Sequence, residues 1–398
     1  MSFPIIGVVG GGQLARMMAP AAVELGLELT VLAESEQACA VAAVRSAPVG
    51  DYRDLDTLRE FARGVDVLTF DHEHVPVEHL LALQAEGVSI HPGPAALLHA
   101  QDKLVMRSAV ERLGLPNPLW AEVSTEADLL AFGERAGWPL VLKTPRGGYD
   151  GKGVMILRTP AELPQAAAWF QSMGSLLAEA LVPYTRELSA MVARSASGEV
   201  RAWPLVESIQ VDGVCDEVIA PAPDLDPEQV LLIQQTAIRL ATELDVTGAM
   251  AVELFETPGI GIGFVINELA MRPHNSGHWS MDGSLTGQFE QHLRAVAGLP
   301  LGGTTPVAKV TVMKNILGGR NEDLYSAYPA ALAAEPGVKV HHYGKSVRPG
   351  RKIGHVNALS AEGDDAASVR RRASRAASIL RDGADVPNEP QTTTQEPS

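Results

Sequence analysis

The sequence predicts an α/β protein of two or three domains that opens on an N-terminal parallel sheet. Three observations lead there. Short apolar runs alternate with helical periodicity through the first hundred residues, as a parallel sheet crossed by helices requires. Mid-chain, a loop over residues 143–153 carries four glycines and two lysines between two apolar runs. The chain is 398 residues long, more than one hydrophobic core organises. Residues 382–398, rich in Pro, Thr, Gln and Glu, read as a disordered tail.

Composition narrows the function. A net charge of −16 argues against nucleic acid as the main partner and requires that any anionic ligand meet locally concentrated cations. Cys39 and Cys215 stand far apart and make neither a disulfide framework nor a zinc spacing. No apolar run approaches membrane-spanning length, and the first residues lack a signal peptide's basic start and long apolar middle. The expected location is the cytoplasm, with no membrane partner.

Taken in order, residues 5–9 form an all-apolar strand, Gly10-Gly11-Gly12 a turn, and 13–25 a helix. Residues 27–32 form a second strand, with Glu34 just beyond it. Gly10, Gly12 and Ala15 stand in the G-x-G-x-x-A positions of a Rossmann-like dinucleotide turn, although the same turn suits any phosphate at a helix N-terminus. Runs at 65–70 and 88–90 continue the alternation. Asp71-His72-Glu73-His74 follows a strand end without a metal-site spacing, so Glu73 is expected as a hydrogen-bond acceptor for a ligand. Gln101-Asp102-Lys103 opens a helix.

The central region has a helix at 127–136 closed by Gly137, then a strand at 140–143 ending on Lys143, whose ammonium can meet phosphates as a point charge. The glycines of the loop let backbone N–H groups approach anionic oxygens. A further strand at 175–179 leads into Ala180-Leu181-Val182. With Glu179 and Glu187, this stretch could supply the apolar slot and ribose-facing carboxylate that an adenosine needs. Glu253 lies in the apolar strand 246–255, and Glu268 in 264–269 beside Asn267. Antiparallel pairing brings the two acids together, and a magnesium ion between carboxylates and phosphates would compensate their burial. The run Arg272 to His278 then reads as a substrate loop, with Pro273 and Gly277 arguing against a metal-binding helix face. Strands are expected at 307–313 and 352–359. Between them Lys345, Arg348, Arg351 and Lys352 put four cations in eight residues, an anion site or a solvated turn. Arg370 to Arg372 and Arg375 read as a solvated helix face.

Gly10-Gly11-Gly12-Gln13-Leu14, the loop Gly147 to Gly153, Asn267-Glu268-Leu269, His274 to Trp279 and Arg348 to His355 together resemble the N5-carboxyaminoimidazole ribonucleotide synthetases. These are a purine-biosynthesis family of the ATP-grasp superfamily, and the resemblance runs over about residues 4–380. It implies a homodimer and a three-domain ATP-grasp fold: a Rossmann-like domain at 1–103, a two-lobed ATP-grasp region at 104–300 with a mobile lobe of about 121–185, and a small β-rich C-terminal domain at 301–381. It also implies a carbon–nitrogen ligase that turns 5-aminoimidazole ribonucleotide, bicarbonate and ATP into N5-carboxyaminoimidazole ribonucleotide, ADP and phosphate through carboxyphosphate. By motif, the resemblance places Lys103, Lys143, Gly148, Tyr149, Asp150, Gly151, Lys152, Gly153, Val154, Glu179, Ala180, Leu181, Val182, Glu187, Asn267 and Glu268 at ATP. Gln210 joins them where the family usually has histidine, and it donates a hydrogen bond without charge. Glu253 and Glu268 fall on the magnesium ligands. Gln13, Glu73, Tyr149, Asp150, Arg272, His274, Asn275, Ser276, Lys345, Arg351 and Lys352 fall on the substrate side, with Asp150, Lys345, Arg272, Tyr149 and His274 as the catalytic group. Three rivals remain: another ATP-grasp ligase such as a formate-dependent glycinamide ribonucleotide transformylase, a nicotinamide oxidoreductase resting on the first turn, and a non-catalytic nucleotide binder.

Overall fold

The computed structural model describes residues 3–148 and 153–383. The chain divides into two compact units between residues 307 and 308.

The first unit opens as expected. β1 (Ile5–Val9) lies between β2 (Glu28–Leu32) and β3 (Val67–Phe70), both parallel to it. α1 (Gln13–Leu25) starts at Gly12 and stops at Gly26, whose φ of 73° places it in the left-handed region that closes helices. α2 (Leu55–Ala62), capped by the Asp54 side chain on the Thr57 N–H, and α3 (Val77–Ala85) complete the crossovers. The run expected as a strand at 88–90 contributes only a single parallel bridge, Leu68 to Ile90, because His91 and a following Pro-Gly-Pro end it at once. α4 (Pro94–Gln101) gives way at Asp102 to α5 (Lys103–Arg112). The Asp102 carboxylate accepts from the N–H groups of Leu104 and Val105, so the side chain of Lys103 leaves the first turn of a capped helix.

A separate lobe follows. β4 (Trp120–Val123), α6 (Glu126–Ala136), β5 (Leu140–Lys143), β6 (Val154–Leu157), α7 (Ala167–Met173) and β7 (Leu176–Ala180) form a four-stranded antiparallel sheet in the order β4-β7-β5-β6 with its helices. α6 starts in a capping box of Thr125 and Asp128. The lobe buries its own core of Leu129, Phe132, Leu140, Leu142, Leu157 and Leu176. The glycine loop is thus a hairpin connection, with Lys143 opposite Val154. Tyr149, Asp150, Gly151 and Lys152 of that loop, and the tail from residue 384, lie outside the described residues.

The larger sheet contains β8 (Arg186–Arg194), β9 (Val200–Ala202), β10 (Val206–Val211) and β11 (Val214–Ala220). After α8 (Pro227–Glu243) it adds β12 (Gly248–Glu256) and β13 (Phe264–Ala270). In this unit the order is β13-β12-β8-β10-β11, all antiparallel, with β9 also on β8. Alternation sorts the faces: Leu188, Leu254 and Ile266 are buried in a core shared with Leu68 and Phe70 of β3, while Glu187, Ser189 and Glu253 point to the other side. The short α9 (Ser280–Gly283) and then α10 (Gln288–Val296) finish the unit.

In the second unit, β14 (Thr311–Leu317) and β15 (Lys339–His342) flank β16 (Lys352–Leu359), with α11 (Leu324–Ala334) and α12 (Ala366–Asp382). β14 begins later than the expected 307, because the Val307 N–H is taken by the Gly283 carbonyl and only the residues from 311 pair with β16. Among the described residues, no helix is long and apolar enough to cross a membrane.

Candidate active site

Glu253 and Glu268 are direct cross-strand partners on β12 and β13, so both carboxylates rise from one face. Immediately beyond this pair the register slips: Leu254 faces Ile266, and Asn267 is left as an extra residue on β13. A β-bulge of this kind re-aims side chains, and here it turns Asn267 toward the same side as Glu268. The Asn267 Oδ1 accepts from the Lys143 ammonium at 3.3 Å, and Glu268 pairs with Lys103 at 2.6 Å. Lysines from the end of β5 and the start of α5 thereby meet the acidic strands.

Lys143 also contacts Glu179 at 2.8 Å. The Glu179 carboxylate is buried and shared, its second oxygen accepting from Arg107. Burial alone would raise its pKa, but Lys143 and Arg107 together hold it below the usual carboxylate value. Each Glu179 oxygen thus faces one cation. The Ala180 and Leu181 N–H groups are engaged as well, by the carbonyls of Leu119 and Pro139. Val182 follows on the lobe's exit from β7. Glu187 is the more available acid, bonded by the Tyr184 hydroxyl at 3.4 Å. Burial, then the neighbouring charge of Glu253, push its carboxyl up to about 7.

The expected substrate loop closes the other flank. His274 Nε2 contacts Glu253 at 3.0 Å, and its Nδ1 lies 2.9 Å from Ser276 Oγ, which in turn bonds Ser189 Oγ at 2.7 Å. Gln288, fully buried, brackets His274 through its backbone N–H (2.8 Å) and carbonyl (2.9 Å) and also meets His278 at 2.7 Å. His278 therefore serves this support and is not half of a metal pair. Arg272 forms a 2.7 Å ion pair with Glu73, and Asn275 accepts from Gln13 at 3.4 Å. Burial would raise the Glu73 carboxyl, yet the Arg272 charge and hydrogen bond leave it lowered.

Other expected residues lie apart or in the second unit. Gly153 has φ 73° and folds back on Thr144, its carbonyl taking the Thr144 N–H; Gly148 packs beside it. Val154 is exposed. Gln210 donates to Ser208 Oγ at 2.9 Å on β10. In the second unit, Lys345 stands over the Tyr343 ring at 5.6 Å, Arg351 is bound to Ser346 at 2.9 Å, and Lys352 opens β16. Arg107, Ser189 and Gln288 escaped the sequence reading. The one available signal was for Arg107, a charge among the buried positions Met106, Ala109 and Val110 of α5.

The N-terminal turn speaks against a dinucleotide. Glu34 takes the Gly11 N–H at 3.0 Å and Asp71 takes the Ala15 N–H at 2.7 Å, so protein carboxylates already occupy the amides a pyrophosphate would need.

Similarity to known proteins agrees with this geometry. Family models match in chain order: a ribonucleotide synthetase preATP-grasp domain over residues 3–101, an ATP-grasp domain over 108–289, and a phosphoribosylaminoimidazole carboxylase C-terminal domain over 311–371. The N5-carboxyaminoimidazole ribonucleotide synthase of Corynebacterium ammoniagenes is 47% identical over 382 residues, covering 95% of this chain and 92% of the relative. The chain belongs to the N5-carboxyaminoimidazole ribonucleotide synthase family. Two solved structures of that family superpose closely. The Thermus thermophilus enzyme gives a TM-score of 0.84 at 37% identity, covering 96% of this chain and 100% of its own. The Aspergillus clavatus synthase, solved with ADP and 5-aminoimidazole ribonucleotide, gives 0.84 at 28% identity and covers 95% and 99%.

Proposed function

We propose that this chain carboxylates 5-aminoimidazole ribonucleotide with bicarbonate at the expense of ATP, releasing ADP and phosphate, as a cytoplasmic homodimer in purine synthesis. The observation that carries this reading is the convergence of Lys103 and Lys143 on Glu268 and Asn267, beside Glu253. Two paired carboxylates suit magnesium. Among the described residues no three His, Cys, Asp or Glu side chains form a protein cage, and magnesium habitually completes its octahedron with phosphate and water. Burial, and after it the charge of Glu253, raise the Glu187 carboxyl, and a cation at Glu253 would relieve the second of these. Glu253 and Glu268 are its expected ligands, and when bound it neutralises the phosphoryl oxygens during transfer.

The chain's own residues supply position and charge. Lys143 and Lys103 exchange their carboxylate partners for phosphate oxygens, with Asn267 beside the same phosphates. Gly148, Gly153 and Val154, with Tyr149, Gly151 and Lys152, form the loop cover that keeps water from the reacting groups. Val182, Ala180, Leu181 and Glu187 take the adenosine side. A bicarbonate oxygen attacks the γ-phosphorus and ADP leaves, giving carboxyphosphate. The exocyclic amine then attacks its carboxyl carbon, inorganic phosphate leaves, and the amine loses a proton. Asp150 orients or deprotonates the amine, while Lys345, with Arg351 and Lys352, meets anionic groups of the ribonucleotide. Arg272, paired with Glu73, and His274, Asn275, Ser276 and Gln13 hold the substrate and bicarbonate. The divisions at 1–103, 104–300 and 301–381 are proposed as the three functional domains.

The test is ADP release with bicarbonate and aminoimidazole ribonucleotide withheld in turn. Full turnover is expected only with both present. Rates indifferent to the ribonucleotide, or support by formate with glycinamide ribonucleotide, would overturn the reading.

A further inference from the structure

We infer that Arg107 is a positioning residue, which keeps the positive charge of Lys143 available to a phosphate and holds the Asn267–Glu268 bulge in shape. The inference rests on the nucleotide-site reading above. Arg107 is fully buried on α5, far from any solvent that could hydrate its charge, so every N–H must find a partner in the protein. Its Nε meets Glu179 Oε1. One terminal nitrogen donates to the carbonyl of Ile266 at 2.7 Å and to Asn117 Oδ1 at 3.0 Å, and the other to the carbonyl of Asn267 at 2.8 Å. Asn117 returns a hydrogen bond to the Arg107 carbonyl at 3.0 Å, and the Ile266 N–H goes to Pro116.

Two consequences follow from this geometry. β13 is the edge of its sheet, and the carbonyls of residues 266 and 267, at the slip, both accept from Arg107. The planar fork of one guanidinium spans both while its Nε holds Glu179, an arrangement that the single nitrogen of an ammonium does not reproduce. Arg107 therefore sets the bulge that aims Asn267 and Glu268. Its Nε meanwhile claims one oxygen of Glu179, leaving only the other for Lys143. The triad of two cations and one carboxylate keeps one positive charge in excess, beside the residues assigned to ATP. Without Arg107, Lys143 and Glu179 would form a neutral pair, and the lysine would lose its attraction for phosphate.

The experiment compares the full chain with Arg107→Lys, with Arg107→Met, and with the double variant Arg107→Met/Glu179→Gln, in which Lys143 has no Glu179 carboxylate to neutralise it. ATP binding in the presence of magnesium, both KM values, kcat and the melting temperature are measured. Arg107→Lys is expected to weaken ATP at least tenfold, with the KM for aminoimidazole ribonucleotide within twofold of the unaltered chain. The double variant is expected to remain at least tenfold weak for ATP, because the bulge is unheld. Arg107→Met is expected to be weaker still, because only there does Glu179 neutralise Lys143. A merely structural role would not give this order, and equal ATP affinity in the two would remove the charge role. ATP affinity within twofold in any folded variant, or equal rises in both KM values, would overturn the assignment. Direct ATP binding reads this result even if the carboxylation reading fails. If the lysine variant does not fold, the double variant decides.

Discussion

Glu187 shows how far a single side chain depends on its surroundings. It sits on β8 next to the acidic pair, and burial, followed by the charge of Glu253, pushes its carboxyl from 4.5 up to about 7. The unfolded chain gives up this proton near 4.5, whereas the folded chain keeps it until about 7. The contribution is therefore fully present below 4.5 and is lost as pH rises through 7. Glu187→Gln, which mimics the protonated form, should flatten this part of the stability–pH curve. In the nucleotide-free protein at pH 8 it should raise stability by on the order of 1–3 kcal/mol, read by chemical denaturation. Equal stabilities at pH 5 and pH 8 in the two proteins would contradict the assignment. At this scale the acids of the site were readable in the sequence, because an ionised group within an apolar strand demands a reason. The commitment of Glu179 to Arg107 was not readable, since the two are 72 residues apart and nothing local marks the pair.

Elements aim these groups. The hairpin of β12 and β13 was visible as two apolar runs across a short turn, yet its bulge was not. A one-residue slip changes which way Asn267 points without changing any pattern of hydrophobic residues. The turn before α1 was visible too, as glycine after a strand, but its occupant was not. A Cβ added at Gly12 would lie 2.0 Å from Asp71 Oδ2. Gly12 has an ordinary φ of −78°, so the glycine is needed there for space and not for backbone freedom. Gly12→Ala should displace Asp71 from the Ala15 N–H and cost about 1–3 kcal/mol, measured by thermal unfolding. Adding Asp71→Ala should cost less than the sum of the two single changes. Strict additivity would show that the two residues do not share this site.

At the scale of the whole first unit, α10 joins the parallel sheet to the larger one through a buried ring. His292 Nδ1 accepts from the Ala249 N–H at 3.1 Å at the start of β12, and Nε2 bonds Thr69 Oγ1 of β3 at 2.8 Å. Burial, and then the charge of His91, lower its pKa from 6.5 to about 3. The unfolded chain takes up a proton below 6.5 that the folded chain refuses, so this join weakens as pH falls from 6.5 toward 3 and is intact above 6.5. The ring's NMR resonances should stay those of the neutral form with the proton on Nε2 down to pH 5. A titration midpoint near 6.5 would refute the arrangement. The sequence by itself determined the order of strands and helices, the acidic and basic residues proposed for a phosphate ligand, and the family. Those are written in local periodicity, in glycine and proline, and in short motifs. Only the tertiary structure decided which carboxylate neutralises which cation, that the first turn is filled by Glu34 and Asp71, and that a buried arginine serves both the lysine and the bulge. Such pairings depend on contacts between residues distant in the chain, and their energies are settled by burial, which no stretch of sequence carries alone.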